Sequence, residues 1–282
     1  MKTKTTIILI ICINLFIYCS CGGGEKADDK GTTDSTTTEA NVKGSEVKRS
    51  DKDPRSIGGD KSTAQLNIEE AMKNMETATD PIIGYWVGAF GNNRINLVLS
   101  EIKGNTIKGH SVCAGNYRPI TGTIQLAKAN PHKVTMTEPG DDKYDGKFNF
   151  EVDLDKMKIT GNWAPYKEVN GTKAKDFTLE KKNYTFDASV GEYPQASQRL
   201  LTEEDVENYT SEELEVMRNE IYARHGYSFK NRKMRAYFEA KDWYIPLGVD
   251  IRSQLTDDEV KNIALIYRYE EYYKVNYDDY GR

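Results

Sequence analysis

Cysteine is nearly absent from the part of this 282-residue chain that has a composition fit to fold. Cys12, Cys19 and Cys21 crowd into the N-terminal stretch, which leaves Cys113 without a partner. A disulfide framework is therefore excluded, and the folded part must be held by its cores. Histidine is also scarce. His110, His132 and His225 are the only three, and with one remaining cysteine they offer no metal-ligand spacing. Asp141-Asp142 and Asp278-Asp279 are acidic pairs without a calcium-loop pattern. A basic excess is missing: 39 Lys and Arg stand against 44 Asp and Glu, for a net charge of -5. That balance argues against a nucleic-acid partner and keeps the protein soluble beside anionic lipid. Hydrophobic residues make up only 38%, so part of the chain lacks a core of its own. No Gly-x-Ser-x-Gly elbow occurs. His110 and Cys113 lie three positions apart, which puts them on opposite faces of a strand. His132 is isolated and reads as a solvated turn residue. No metal or other cofactor is implied.

The N-terminus does carry a signal. Met1-Lys2-Thr3-Lys4 is basic, and an apolar run follows from Ile7 to Tyr18. This is the form of a secretion signal, and the run is too short for a good membrane span. Tyr18-Cys19-Ser20-Cys21-Gly22 follows at once. A small residue before a cysteine at this place resembles the lipobox of bacterial lipoproteins. The resemblance implies cleavage after residue 20 and acylation of Cys21 by diacylglycerol and palmitate-type chains. Cys19 is the alternative, because Tyr18 stands where leucine is usual. Two or more acyl chains, at about 0.8 kcal/mol per buried methylene, make a stable anchor. The stretch from Glu25 to Lys30 resembles lipoprotein surface-export signals. The expected address is the cell envelope, at the outer membrane, facing either the periplasm or the surface.

The chain is long enough for two domains. From Gly22 to about Thr63 it is rich in Gly, Ser, Thr, Asp, Glu and Lys, so residues 21–80 are expected to be a lipidated, mostly disordered tether. A flexible segment of roughly 40 residues spans about 35 Å. Leu66, Ile68, Ala71, Met72 and Met75 suggest a short amphipathic helix near its end. From residue 81 to 186 the period is two. Ile95, Leu97 and Leu99 alternate with Asn96 and Val98, and Phe148, Phe150, Val152 and Leu154 with Asn149, Glu151 and Asp153. Turn signals such as Lys103-Gly104-Asn105 and Asp145-Gly146 separate the runs. About eight strands without an intervening helix favour an antiparallel up-and-down barrel or a related sandwich. Gly84-Tyr85-Trp86 on the first strand resembles the lipocalin and avidin barrels, which implies a tryptophan packed across a closed end and a ligand pocket.

From residue 187 to the C-terminus the period turns helical, and the expected class is α+β multidomain: barrel, then a small all-α domain. Thr210-Ser211-Glu212-Glu213 reads as a capping box. Leu214, Met217, Ile221 and Tyr222 line one helix face, and Gly226 is a natural stop. Asn231 and Thr256 start two further helices. Arg218-Asn219-Glu220-Ile221-Tyr222-Ala223-Arg224-His225-Gly226 resembles the signature of the YARHG domain. Leu200-Leu201, Phe229, Tyr237-Phe238, Trp243-Tyr244 and Asn262-Ile263 support it. The resemblance implies an extracytoplasmic place and transfers no activity.

Two candidate sites follow. Arg218, Glu220, Arg224 and His225 would grip an anion if the arginines were open to solvent; the plainer reading is a helix ion pair. Tyr269, Tyr272 and Tyr273 would form an aromatic binding face on the last helix. The leading expectation is a lipid-anchored, non-enzymatic binding module for peptidoglycan, another glycan or an envelope protein, with membrane lipid as a partner through the acylated cysteine. The alternatives are a lipocalin-like carrier of a small apolar molecule, and a hydrolase using Glu138, Asp153 and Glu168 converging in the barrel. Phe148, Phe150 and Trp163 filling the interior would leave the carrier no pocket.

Overall fold

The structure, a computed structural model, describes residues 51–168, 171 and 173–276. The signal segment, both candidate lipidated cysteines, the tether up to residue 50 and Asp278-Asp279 lie outside the described residues. Helix α1 is Thr63–Glu76. Eight strands follow among the described residues: β1 Gly84–Phe90, β2 Asn93–Lys103, β3 Thr106–Cys113, β4 Asn116–Gln125, β5 His132–Thr137, β6 Gly146–Asp153, β7 Lys158–Pro165 and β8 Lys175–Lys182. Each pairs antiparallel with the next, and β1 pairs with β8, so the sheet closes into an up-and-down barrel. The helical part holds α2 Gln195–Gln198, α3 Ser211–Arg224, α4 Arg232–Glu239 and α5 Asp257–Asn276. The fold class is the one expected.

The alternation of the strands explains the barrel. Ile95, Leu97 and Leu99 of β2, Ile107 of β3, Phe148 and Phe150 of β6, Trp163 of β7 and Phe177 of β8 share one buried core. Each such side chain contributes about 1.5–3 kcal/mol by leaving water. Trp86 is fully buried in the same core and donates from Nε1 to the Ile82 carbonyl at 2.9 Å. Inward glycines let the strands close up: a Cβ on Gly122 would sit 1.9 Å from the Thr135 carbonyl oxygen of the neighbouring strand.

Strand β2 departs from simple alternation, because Asn96 and Val98 are as buried as the residues between them. The reason is a second packing surface. Arg94 Nη1 donates to the carbonyls of Lys241 and Tyr244 at 2.6 and 2.7 Å, and Asn96 Nδ2 to that of Pro246 at 3.0 Å. Val87 packs with Ile245 and Leu247, flanked by Tyr85 and Tyr184. The outer face of β1–β3 is thus covered by the helical part.

Residues 51–80 are not all tether. Ile68 and Ala71 of α1 are buried, while Leu66 points outward. Gln65 takes the place on the packed face, and its Oε1 accepts from Val249 N and Asp250 N, both at 3.1 Å. The folded body therefore begins well before residue 81.

Candidate functional site

Helix α3 starts where the sequence marks it. Thr210 N donates to Glu213 Oε2 at 2.8 Å, and Glu213 N donates back to Thr210 Oγ1 at 3.3 Å. It ends in a Schellman turn. Gly226 N donates to Ala223 O at 2.9 Å and Tyr227 N to Tyr222 O at 3.0 Å, with Gly226 at φ +74°.

Between these ends the signature charges are buried and paired. Arg224 and Glu220 are fully buried and bonded to each other. Glu220 also accepts from Glu192 N and Tyr193 N at 2.9 and 2.8 Å. Arg224 Nε donates to Val190 O at 2.8 Å and Nη1 to Ser197 Oγ at 3.1 Å. Arg218 forms a two-pronged pair with Glu270 of α5, at 2.6 and 3.1 Å. His225 Nε2 lies 2.9 Å from Glu259 Oε2. Burial opposes ionisation of Glu259, but the His225 pair and the Thr256 N–H hold its carboxyl below the usual range. Asn262 completes the lacing: its Oδ1 accepts from Leu201 N, and its Nδ2 donates to Ala196 O and Arg199 O.

This geometry corrects the anion-site expectation. Arg218, Arg224 and His225 face carboxylates of the protein itself, and an external anion would have to displace one in the interior. Their work is to tie α3 to α5 and to the 190–199 segment.

The aromatic strip is also divided. Tyr269 and Tyr273 pack against the helical core, and Tyr273 donates to Glu207 O at 2.6 Å. Tyr272 is 53% exposed. Its ring meets that of Tyr273 edge-on, with the centroids 5.7 Å apart. Among the other aromatics, Phe229, Phe238 and Tyr244 are core.

The barrel alternatives fare as follows. The carboxylate trio does not converge, because successive strands run in opposite directions. Glu138 follows β5 at one end and accepts from Gly146 N and Trp163 Nε1 at 2.6 and 3.1 Å. Asp153 ends β6 at the other end, bound to Lys156 at 2.6 Å. Glu168 is exposed beyond β7. The interior is filled where a carrier would need space: Phe90 has the rings of Phe148, Trp163 and Phe177 around it at 5.8 to 6.2 Å. Cys113 packs against that core, while His110 lies beside the Tyr117 ring, with centroids 5.2 Å apart. Burial pushes the Cys113 thiol up to about 12 and the His110 imidazole down to about 4, so both are neutral at pH 7. His132 is half-exposed and accepts from Ala127 N at 3.2 Å.

A cleft of about 500 Å³ lies beside the signature. Asn219 and Tyr222 of α3 line it, with Tyr227 beyond the Schellman turn and Tyr267 of α5. The Arg218 guanidinium sits 4.2 Å from the centre of the Tyr267 ring, so the buried network also sets this wall. Asp250 and Arg252 supply a third side. The fourth is the segment before α1: Pro54, Ile57, Gly58, Asp60 and Ser62. That strap is pinned by Arg55 to Asp257 at 2.7 Å and by Arg252 to the Ile57 carbonyl. Asn219 and Tyr222 were within reach of sequence reading as parts of the signature. Asp60, Asp250 and Arg252 were not, since nothing local marks them.

No curated protein and no solved structure matches the chain. Residues 191–271, which hold the buried network and three walls of the cleft, match the sequence model of the YARHG domain.

Proposed function

We propose that this protein is a non-enzymatic binding module of the bacterial cell envelope, held by lipid on Cys21 and offering the cleft beside α3 to an envelope glycan or protein partner. One observation carries the reading. The signature helix builds both a buried network and a wall of an open cleft, whereas the barrel is filled with its own side chains. A scaffold whose polar signature is consumed in holding a concave surface fits a binder. The basic start, apolar run and small-residue–cysteine pair support the anchor, and the YARHG match supports an extracytoplasmic place.

Two measurements test it. Immobilised chain lacking residues 1–21 should enrich a partner from envelope extract or retain purified peptidoglycan; enrichment of nothing would overturn the reading. Cys21→Ser should move the protein from the membrane to the soluble fraction. If only Cys19→Ser does so, the anchor belongs to Cys19.

A further inference from the structure

We infer that the cleft takes an uncharged oligosaccharide, an assignment that rests on the binding-module reading and names its ligand class. Three tyrosines line the cleft, Tyr222, Tyr227 and Tyr267. The C–H face of a pyranose ring is apolar and packs on an aromatic face, while its hydroxyls need paired donors and acceptors at the edge. The cleft supplies such groups on planar side chains: the carboxylates of Asp60 and Asp250, and the amide of Asn219, whose Nδ2 also donates to Glu215 O at 2.7 Å. The volume of about 500 Å³ falls within the range of small-ligand sites, roughly 300–1,000 Å³.

Charge narrows the class. Arg252 is the one cationic side chain among the lining residues, and it is bound to Asp250 at 2.6 and 2.8 Å and to the Ile57 carbonyl. Among the described lining residues no open cation is left to attract a phosphate or carboxylate, and Asp60 would repel one. An apolar ligand would strip water from Asp60, Asp250 and Asn219 without replacing its hydrogen bonds. A peptide added as a strand would need an open sheet edge, and this barrel has closed its edges. Sugar hydroxyls satisfy the same polar groups, and the tyrosines of the wall put aromatic surface beside them.

The strap gives a clean probe. Asp60 is exposed on a segment outside the cores, so its replacement leaves folding intact. Calorimetric titration of the full-length chain in mild detergent with a tetramer of β-1,4-linked N-acetylglucosamine tests the assignment. Binding is expected, about tenfold weaker in Asp60→Ala, the loss of one hydrogen bond to a charged acceptor. Tyr222→Ala should weaken it further, and Tyr227→Phe, which keeps the ring, should change it less than Tyr222→Ala. No heat at millimolar tetramer, or equal affinity in wild type, Asp60→Ala and Tyr222→Ala, would overturn the carbohydrate assignment. An envelope pull-down on the same preparation separates the two claims. A retained protein partner without tetramer binding removes the carbohydrate and leaves the binding module standing; loss of both removes both.

Discussion

Arg224 and Glu220 show how a surface-type motif becomes an interior one. At i and i+4 on an exposed helix the pair would contribute a few tenths of a kcal/mol. Here both are fully buried, and the 190–193 backbone is hydrogen-bonded to them. Removing one partner leaves an uncompensated charge, so Glu220→Ala should destabilise by about 3–5 kcal/mol in urea unfolding. Replacing both, Glu220→Leu with Arg224→Met, should cost less than the single change. A single variant as stable as wild type would contradict the burial argument. His110 makes a second prediction. Burial lowers its pKa from 6.5 to about 4. Between those values the unfolded chain holds a proton that the native state refuses, so this contribution is full above pH 6.5 and is lost as pH falls toward 4. The slope is up to about 1.4 kcal/mol per pH unit. His110→Gln should flatten the fall between pH 6.5 and 4.5, read as urea midpoints; parallel curves for variant and wild type would refute it.

At the scale of elements, much of the fold was legible. Period-two runs and turn residues mark the strands because one face meets the barrel interior and the other meets water. Thr210, Gly226 and Asn231 mark helix ends because each satisfies backbone groups locally. What stayed hidden is non-local. Gln65 reads as a polar residue in a tether, yet it caps the 249–250 backbone. Glu270 lies among exposed-looking charges of α5, and only the folded chain brings Arg218 to it. Glu259 accepts from Thr256 N at the start of α5, and nothing local marks it as the partner of His225. The cleft was illegible for the same reason: its walls come from segments nearly 200 positions apart, as Arg252 and Ile57 show. The end of α3 is testable at this scale. A Cβ at residue 226 would sit 2.6 Å from Leu247 Cγ, at a backbone angle that disfavours it. Gly226→Ala should lower stability by more than about 1 kcal/mol and disturb Tyr227 in the cleft. An unchanged urea midpoint would argue against this tight turn.

At the scale of the molecule, the barrel acts as a filled support. Its outer β1–β3 face is covered by the helical part, and α1 bridges to the 249–250 loop. The strap of residues 54–62 forms one wall of the cleft, tied to the body through Arg252 and the Ile57 carbonyl. Hydrogen–deuterium exchange of the chain, with and without the β-1,4-linked N-acetylglucosamine tetramer, tests this account most directly. Protection is predicted at residues 54–62, 219–227 and 249–252, with the barrel strands unchanged. Protection confined to the barrel strands, or to the region of Tyr269, Tyr272 and Tyr273, would contradict it.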